Sequence, residues 1–154
     1  MIDVVKKYEL QKIECNSDFE PVKIVNSQSA YDFIKQFYKS DIGIYESFFI
    51  LMLDRKNTTI GFAKISQGGI SGTHVDSKII AKYAVDSLCN GIILAHNHPS
   101  GGTNPSNNDI ELTKKIEIML SYHDIKLFDH IILTENSFYS FNDNHLINHD
   151  QSNS

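Results

Sequence analysis

The longest apolar run of the chain begins at Glu46. Residues 46–54, ESFFILMLD, are apolar on both faces, which reads as a central strand covered from both sides. Asp54-Arg55-Lys56-Asn57 reads as a turn, and the β-branched stretch Thr58 to Ile65 as the returning strand. Before this hairpin, Ala30, Phe33, Ile34, Phe37 and Tyr38 recur at helical spacing and predict a helix over about residues 30–39, with Ser27-Gln28-Ser29 offering an N-cap. Val22 to Val25 is expected as a short edge strand. After the hairpin, Asp76 or Ser77 caps a helix whose inner face carries Ile79, Ile80, Tyr83, Ala84, Ser87 and Leu88. Gly91 stands where a C-terminal glycine belongs. A second apolar strand follows, Ile92-Ile93-Leu94-Ala95. Next comes a helix over about residues 107–122 with the stripe Asp109, Leu112, Thr113, Ile116 and Leu120, then strands over 125–134 and 138–141. The tail from Asn142 is polar and is expected to fray. Helix, hairpin, helix, strand, helix, strand, strand implies a mixed sheet flanked by helices, of class α/β or α+β.

The second apolar strand runs directly into His96-Asn97-His98. Residues two apart on a strand point to one face, so both imidazoles leave the sheet together where the strand ends. Pro99-Ser100-Gly101-Gly102 turns the chain, and Asn104-Pro105-Ser106-Asn107-Asn108-Asp109 opens the next helix. Asp109 lies on the helix face that packs on the sheet, so its carboxylate is expected near the histidines. Three protein ligands with an open fourth position are what a catalytic zinc site uses. Glu46, the one acid at the start of a buried strand, is the candidate proton shuttle, because packing alone does not explain a carboxylate there. Ser106, at the positive end of the helix, is the candidate to stabilise an oxyanion.

Composition narrows the rest. A length of 154 residues supports one domain with a real core. A net charge of −5 and a pI of about 5.7 disfavour nucleic acid or an anionic membrane as a partner. No apolar run approaches the roughly 20 residues of a membrane span, and residues 1–10 lack the apolar core of a secretory signal. Cys15 and Cys89 are far apart and unpatterned, which points to a reducing cytoplasm and leaves any metal to His and carboxylate ligands.

These residues resemble the JAB/MPN metalloprotease motif: an upstream Glu, His-x-His, seven residues, Ser, two residues, Asp. Here that is Glu46, His96-Asn97-His98, Ser106 and Asp109. More narrowly, LAHNHPSG, NPSNNDIELTKK, LFDHIIL and FYSF look like the RadC-like branch of the JAB domain. The resemblance covers residues 28–141, with 1–27 as an N-terminal extension and 142–154 as the flexible tail. It implies a JAB/MPN fold, a mixed curved sheet with flanking helices similar to cytidine deaminase. It also implies one zinc per chain on His96, His98 and Asp109, Glu46 as general acid/base, Ser106 as oxyanion helper, and hydrolysis of a peptide or isopeptide bond in a peptide or protein substrate. Two departures stand out. Residues 1–27, before the first helix, show no motif of the helix-hairpin-helix module, the DNA-gripping part usual in that branch. Asp76-Ser77-Lys78 also stands where the branch usually has an Arg-Glu pair.

Plainer readings stand beside these. Ser106-x-x-Asp109 also reads as a plain capping box, a role that Ser106 can combine with catalysis. Asp129 and His130 alternate along a strand, so they face opposite sides and are expected to be structural. His74, His123, His145 and His149 lack partners at ligand spacing, and Lys114 and Lys115 read as a solvated face. For the whole chain, the alternatives to a hydrolase are a non-catalytic binding or regulatory module and a DNA-repair or DNA-processing protein. The loop from Gln67 to Val75 is expected to shape specificity.

Overall fold

The computed structural model of the protein describes residues 4–7, 9, 15–68 and 74–148. Its centre is one five-stranded mixed sheet in the order β2-β1-β3-β4-β5. The strands are β1 (Glu46–Leu53), β2 (Thr59–Gly68), β3 (Gly91–Asn97), β4 (Lys126–Leu133) and β5 (Phe138–Ser140). The helices are α1 (Ser27–Ile34), extended by a 3-10 turn at Lys35–Phe37, α2 (Ser77–Asp86) and α3 (Asn107–Ser121). β1 pairs antiparallel with both β2 and β3, β3 pairs parallel with β4, and β4 pairs antiparallel with β5. A parallel pair needs a crossover, and α3 supplies it.

The continuous apolarity of β1 and β3 has the cause expected of it: both faces of the sheet are covered. Phe48, Ile50, Met52, Ile92 and Leu94 pack under α2 and α3, against Ile80, Ala84, Ile116 and Leu120. Phe49, Leu51, Leu53, Ile93 and Ala95 pack under α1 and its 3-10 turn, against Ala30, Tyr31, Phe33, Ile34 and Phe37. Each such aliphatic side chain contributes about 1.5–3 kcal/mol on burial.

Several local expectations shift. α1 is capped one residue earlier, by Asn26, whose Oδ1 accepts from Ser29 N–H while Ser29 Oγ accepts from Asn26 N–H. Residues 22–25 form only an isolated bridge, Lys23 to Thr58. On α2 only Ile80 and Ala84 are buried, whereas Ile79, Tyr83 and Leu88 are exposed. That helix ends through Leu88 in a left-handed conformation, φ 54°. Gly91 is therefore not its cap. It opens β3, where a Cβ would stand 2.0 Å from the Phe128 ring, so glycine is required by close approach. β2 runs three residues beyond Ile65 and so brings Gly68 opposite Glu46. The tail is also not frayed at its start: Ile147 is buried against the α2/α3 side of the core, and Leu146 N–H donates to the Phe141 carbonyl. Residues 149–154 lie outside the described residues, as do 69–73 of the loop expected to shape specificity.

Asp129 faces the α1 side of the sheet, where its carboxylate accepts from Ser140 Oγ–H and from the His130 and Asn142 main-chain N–H groups. Burial nevertheless pushes its carboxyl up to about 6. A raised acid favours the protonated fold, so this residue's contribution is present below about pH 4 and is lost as pH rises through about 6. The stability difference between wild type and Asp129→Asn should therefore move by about 2–3 kcal/mol across that window, read by urea unfolding at several pH values. A pH-independent difference would contradict the assignment. Gly91→Ala should destabilise by about 1–3 kcal/mol through overpacking. Thermal unfolding should show that cost shrinking in a Phe128→Ala background.

Candidate metal centre

The site lies where β1 begins and β3 ends, under the N-terminus of α3. In the β1–β3 register Phe48 sits opposite His96, so Glu46, two residues earlier, leaves β1 beside the end of β3 on the same face. His96 is nearly fully buried, while the side chains of Glu46, His98 and Asp109 keep between 16% and 22% of their surface exposed. The cluster is therefore closed at His96 and partly open to solvent at the other three side chains.

Glu46, His96 and His98 each offer a ligand atom within 4.8 Å of the others. The two Nε2 atoms are 3.0 Å apart. Asp109 closes the group from α3, with Oδ1 3.4 Å from His96 Nε2 and Oδ2 3.3 Å from His98 Nε2. Glu46 stands further off, its Oε1 3.9 Å from His96 Nε2. His98 Nδ1 is 2.8 Å from the Gly102 carbonyl. A carbonyl only accepts, so the proton is on Nδ1 and Nε2 is left for the centre of the cluster. His96 Nδ1 meets His130 Nε2 at 2.7 Å. Two imidazole nitrogens, with the Asp109 carboxylate against both and the Glu46 carboxylate beside His96, make a donor set that fits zinc.

The electrostatics agree. Burial alone would raise the Asp109 carboxyl, but the His96 and His98 imidazoles, which donate to it when they carry a second proton, and the Ser106 main-chain N–H outweigh burial and hold it far below the usual carboxylate range. The Asp109 hydrogen bond in turn raises His98. The cluster holds anionic charge that a cation, or a proton on His98, must meet.

Ser106 and Asp109 form a reciprocal capping box. Ser106 Oγ accepts from Asp109 N–H at 3.0 Å, and Asp109 Oδ2 accepts from Ser106 N–H at 2.8 Å. The cap fixes the Asp109 rotamer and spends a lone pair of Ser106, while leaving its hydroxyl proton for another acceptor. The capping role and the position at the site mouth are thus compatible.

The pattern in the sequence did not mark Asn97 as a site residue. It points away from the histidines, to the opposite face, and is fully buried. Its Oδ1 accepts from Ser47 N–H at 2.8 Å, and its Nδ2 donates to the Ile42 and Tyr45 carbonyls. One side chain therefore ties the end of β3 to the residues on either side of Glu46. Tyr38 adds a second tie, donating its hydroxyl to the Ser47 carbonyl. Asp129 faces away as expected, but His130 reaches the site through His96. His74, His123 and His145 are exposed, as are Ser100, Lys114 and Lys115, and His149 lies outside the described residues.

Asn97→Asp is nearly isosteric yet turns an acceptor towards two carbonyls. It and Asn97→Ala should each cost at least about 2 kcal/mol in chemical unfolding, because buried main-chain groups lose their partners. An unchanged midpoint would show that the clamp is not needed to hold the start of β1.

Comparison with known proteins bears on the whole domain. The chain is 37% identical over 142 residues to a UPF0758 protein of Flavobacterium johnsoniae, covering 92% of this chain and 62% of that one. It is 36% identical to a UPF0758 protein of Porphyromonas gingivalis, covering 80% and 54%, and 39% identical to one of Finegoldia magna, covering 71% and 50%. The chain thus spans between half and two thirds of the length of these relatives. The family described as the RadC-like JAB domain matches residues 24–146, a little beyond the span read from the motifs. With that match over most of its length, the chain belongs to the RadC-like JAB domain family, and its candidate metal ligands are gathered at one mouth of the mixed sheet.

Proposed function

We propose that the chain is a zinc-dependent hydrolase of peptide or isopeptide bonds, with His96, His98 and Asp109 as metal ligands, Glu46 as general acid/base and Ser106 as oxyanion donor. One observation carries this reading: the two Nε2 atoms, 3.0 Å apart, face the Asp109 carboxylate, with Glu46 standing off at 3.9 Å. A zinc ion held there supplies a Lewis acid that draws the pKa of water towards about 7. The residues divide the remaining work. His96 and His98 are locked by hydrogen bonds on their far nitrogens, so their near nitrogens keep a fixed direction. Glu46 is further from the imidazoles than Asp109 and partly solvated, which leaves a carboxylate oxygen to take a proton from the attacking water and return it to the departing amine. Ser106 keeps a hydroxyl proton that its cap does not use, and donates it to the carbonyl oxygen as charge develops there. The substrate is a peptide or protein segment able to place a carbonyl at this partly exposed cluster. Among the described residues no helix is long and apolar enough to cross a membrane.

Glu46→Gln should retain zinc and lose about 10²–10⁴-fold in turnover, measured as cleavage of a peptide library by mass spectrometry beside elemental analysis. Undiminished cleavage would remove Glu46 from the mechanism. A zinc-loaded wild type that cleaves nothing in a broad library would favour the non-catalytic binding module.

A further inference from the structure

A buried chain of hydrogen bonds starts at His96 and ends on α3. His96 Nδ1 is 2.7 Å from His130 Nε2, His130 Nδ1 is 2.7 Å from Thr113 Oγ1, and Thr113 Oγ1 is 2.6 Å from the Asp109 carbonyl oxygen. His96, His130 and Thr113 are all buried, so water does not supply alternative partners. Phe48 stacks on His96, and Phe141 stacks on His130. These contacts fix the plane of each imidazole.

The direction of the chain follows from its far end. Two oxygens 2.6 Å apart need a hydrogen between them, and the carbonyl has none to give. The Thr113 hydroxyl therefore donates to Asp109, and its oxygen accepts from His130 Nδ1–H. His130 Nε2 is then a lone pair, and it accepts from His96 Nδ1–H. His96 is left with a bare Nε2, the atom that faces His98 and Asp109.

We infer that His130 and Thr113 are positioning residues of the metal centre: they set the tautomer of His96 from the main chain of a second ligand, Asp109. The inference rests on the metal reading above and adds residues that the motif does not contain. Its physical basis is that a ligating imidazole needs an acceptor on its other nitrogen to fix orientation and basicity. Here that acceptor is a second imidazole, which is itself ambiguous between tautomers. Thr113 removes the ambiguity. Without the hydroxyl, His130 is free to carry its proton on Nε2, which would push the His96 proton onto the nitrogen needed by the metal.

The test uses the full chain, metal-free and zinc-loaded, as wild type, Thr113→Val, His130→Leu and His130→Gln. Imidazole nitrogen shifts of the metal-free protein at mildly alkaline pH should show both His96 and His130 protonated on Nδ1 in the wild type. Zinc affinity, measured by competition with a chelator, should fall about 10–100-fold in T113V and H130L. H130Q should recover most of it, because the Gln carbonyl can accept from His96 Nδ1–H. T113V also guards against a folding failure in H130L, since it is close to isosteric. A wild type with His96 protonated on Nε2 would overturn the inference. So would zinc bound equally by wild type, T113V and H130L, which leaves the metal reading intact. A wild type that binds no zinc would overturn the metal reading and this inference with it.

Discussion

β3 ends inside the protein, and a strand end buried on both faces must satisfy every polar group it carries. His96 and Asn97 solve this on opposite sides. Asn97 uses its whole amide on the main chain around Glu46, and His96 uses its far nitrogen on His130. The alternation of a strand thus turns one dipeptide into two anchors, one that places Glu46 and one that aims a candidate ligand. Removing either leaves buried donors or acceptors without partners, which is expensive in a dry interior.

Three separate elements supply the site: β1 gives Glu46, β3 and the residue after it give the histidines, and the N-cap and first turn of α3 give Ser106 and Asp109. Each is fixed by a different local device. β1 is held by the Asn97 clamp, β3 by ladders to β1 and β4, and α3 by its capping box and by Ile116 and Leu120 in the core. The parallel pairing of β3 and β4 obliges α3 to cross over the sheet, and the helix starts that crossing at the site, so its first turn carries Asp109 back beside the histidines.

Much of this was legible in the sequence, for physical reasons. β1 and β3 show their burial as unbroken apolar runs. α3 shows its inner face as Thr113, Ile116 and Leu120, and the serine-to-aspartate spacing places Asp109 over the sheet. What stayed hidden depended on contacts distant in sequence. His130 sits on β4 beyond a register shift in its pairing with β3, and alternation alone gave no hint that it meets His96. Asn97 lies between two conspicuous histidines, yet its work is on the other face. Gly91 has the composition of a helix stop, but its cause is the Phe128 ring. On α2 the apolar stripe was wider than the buried one, because α2 touches the core only through Ile80 and Ala84. The tail's polar composition concealed Ile147, a single apolar residue that finds the core.

The most direct test of the central claim is the zinc content of purified protein by elemental analysis, with His98→Ala and Asp109→Ala beside the wild type and circular dichroism to confirm folding. The account predicts one zinc per wild-type chain and loss of it in both variants with the fold retained. A zinc-replete wild type without metal, or variants that keep the full complement, would contradict it.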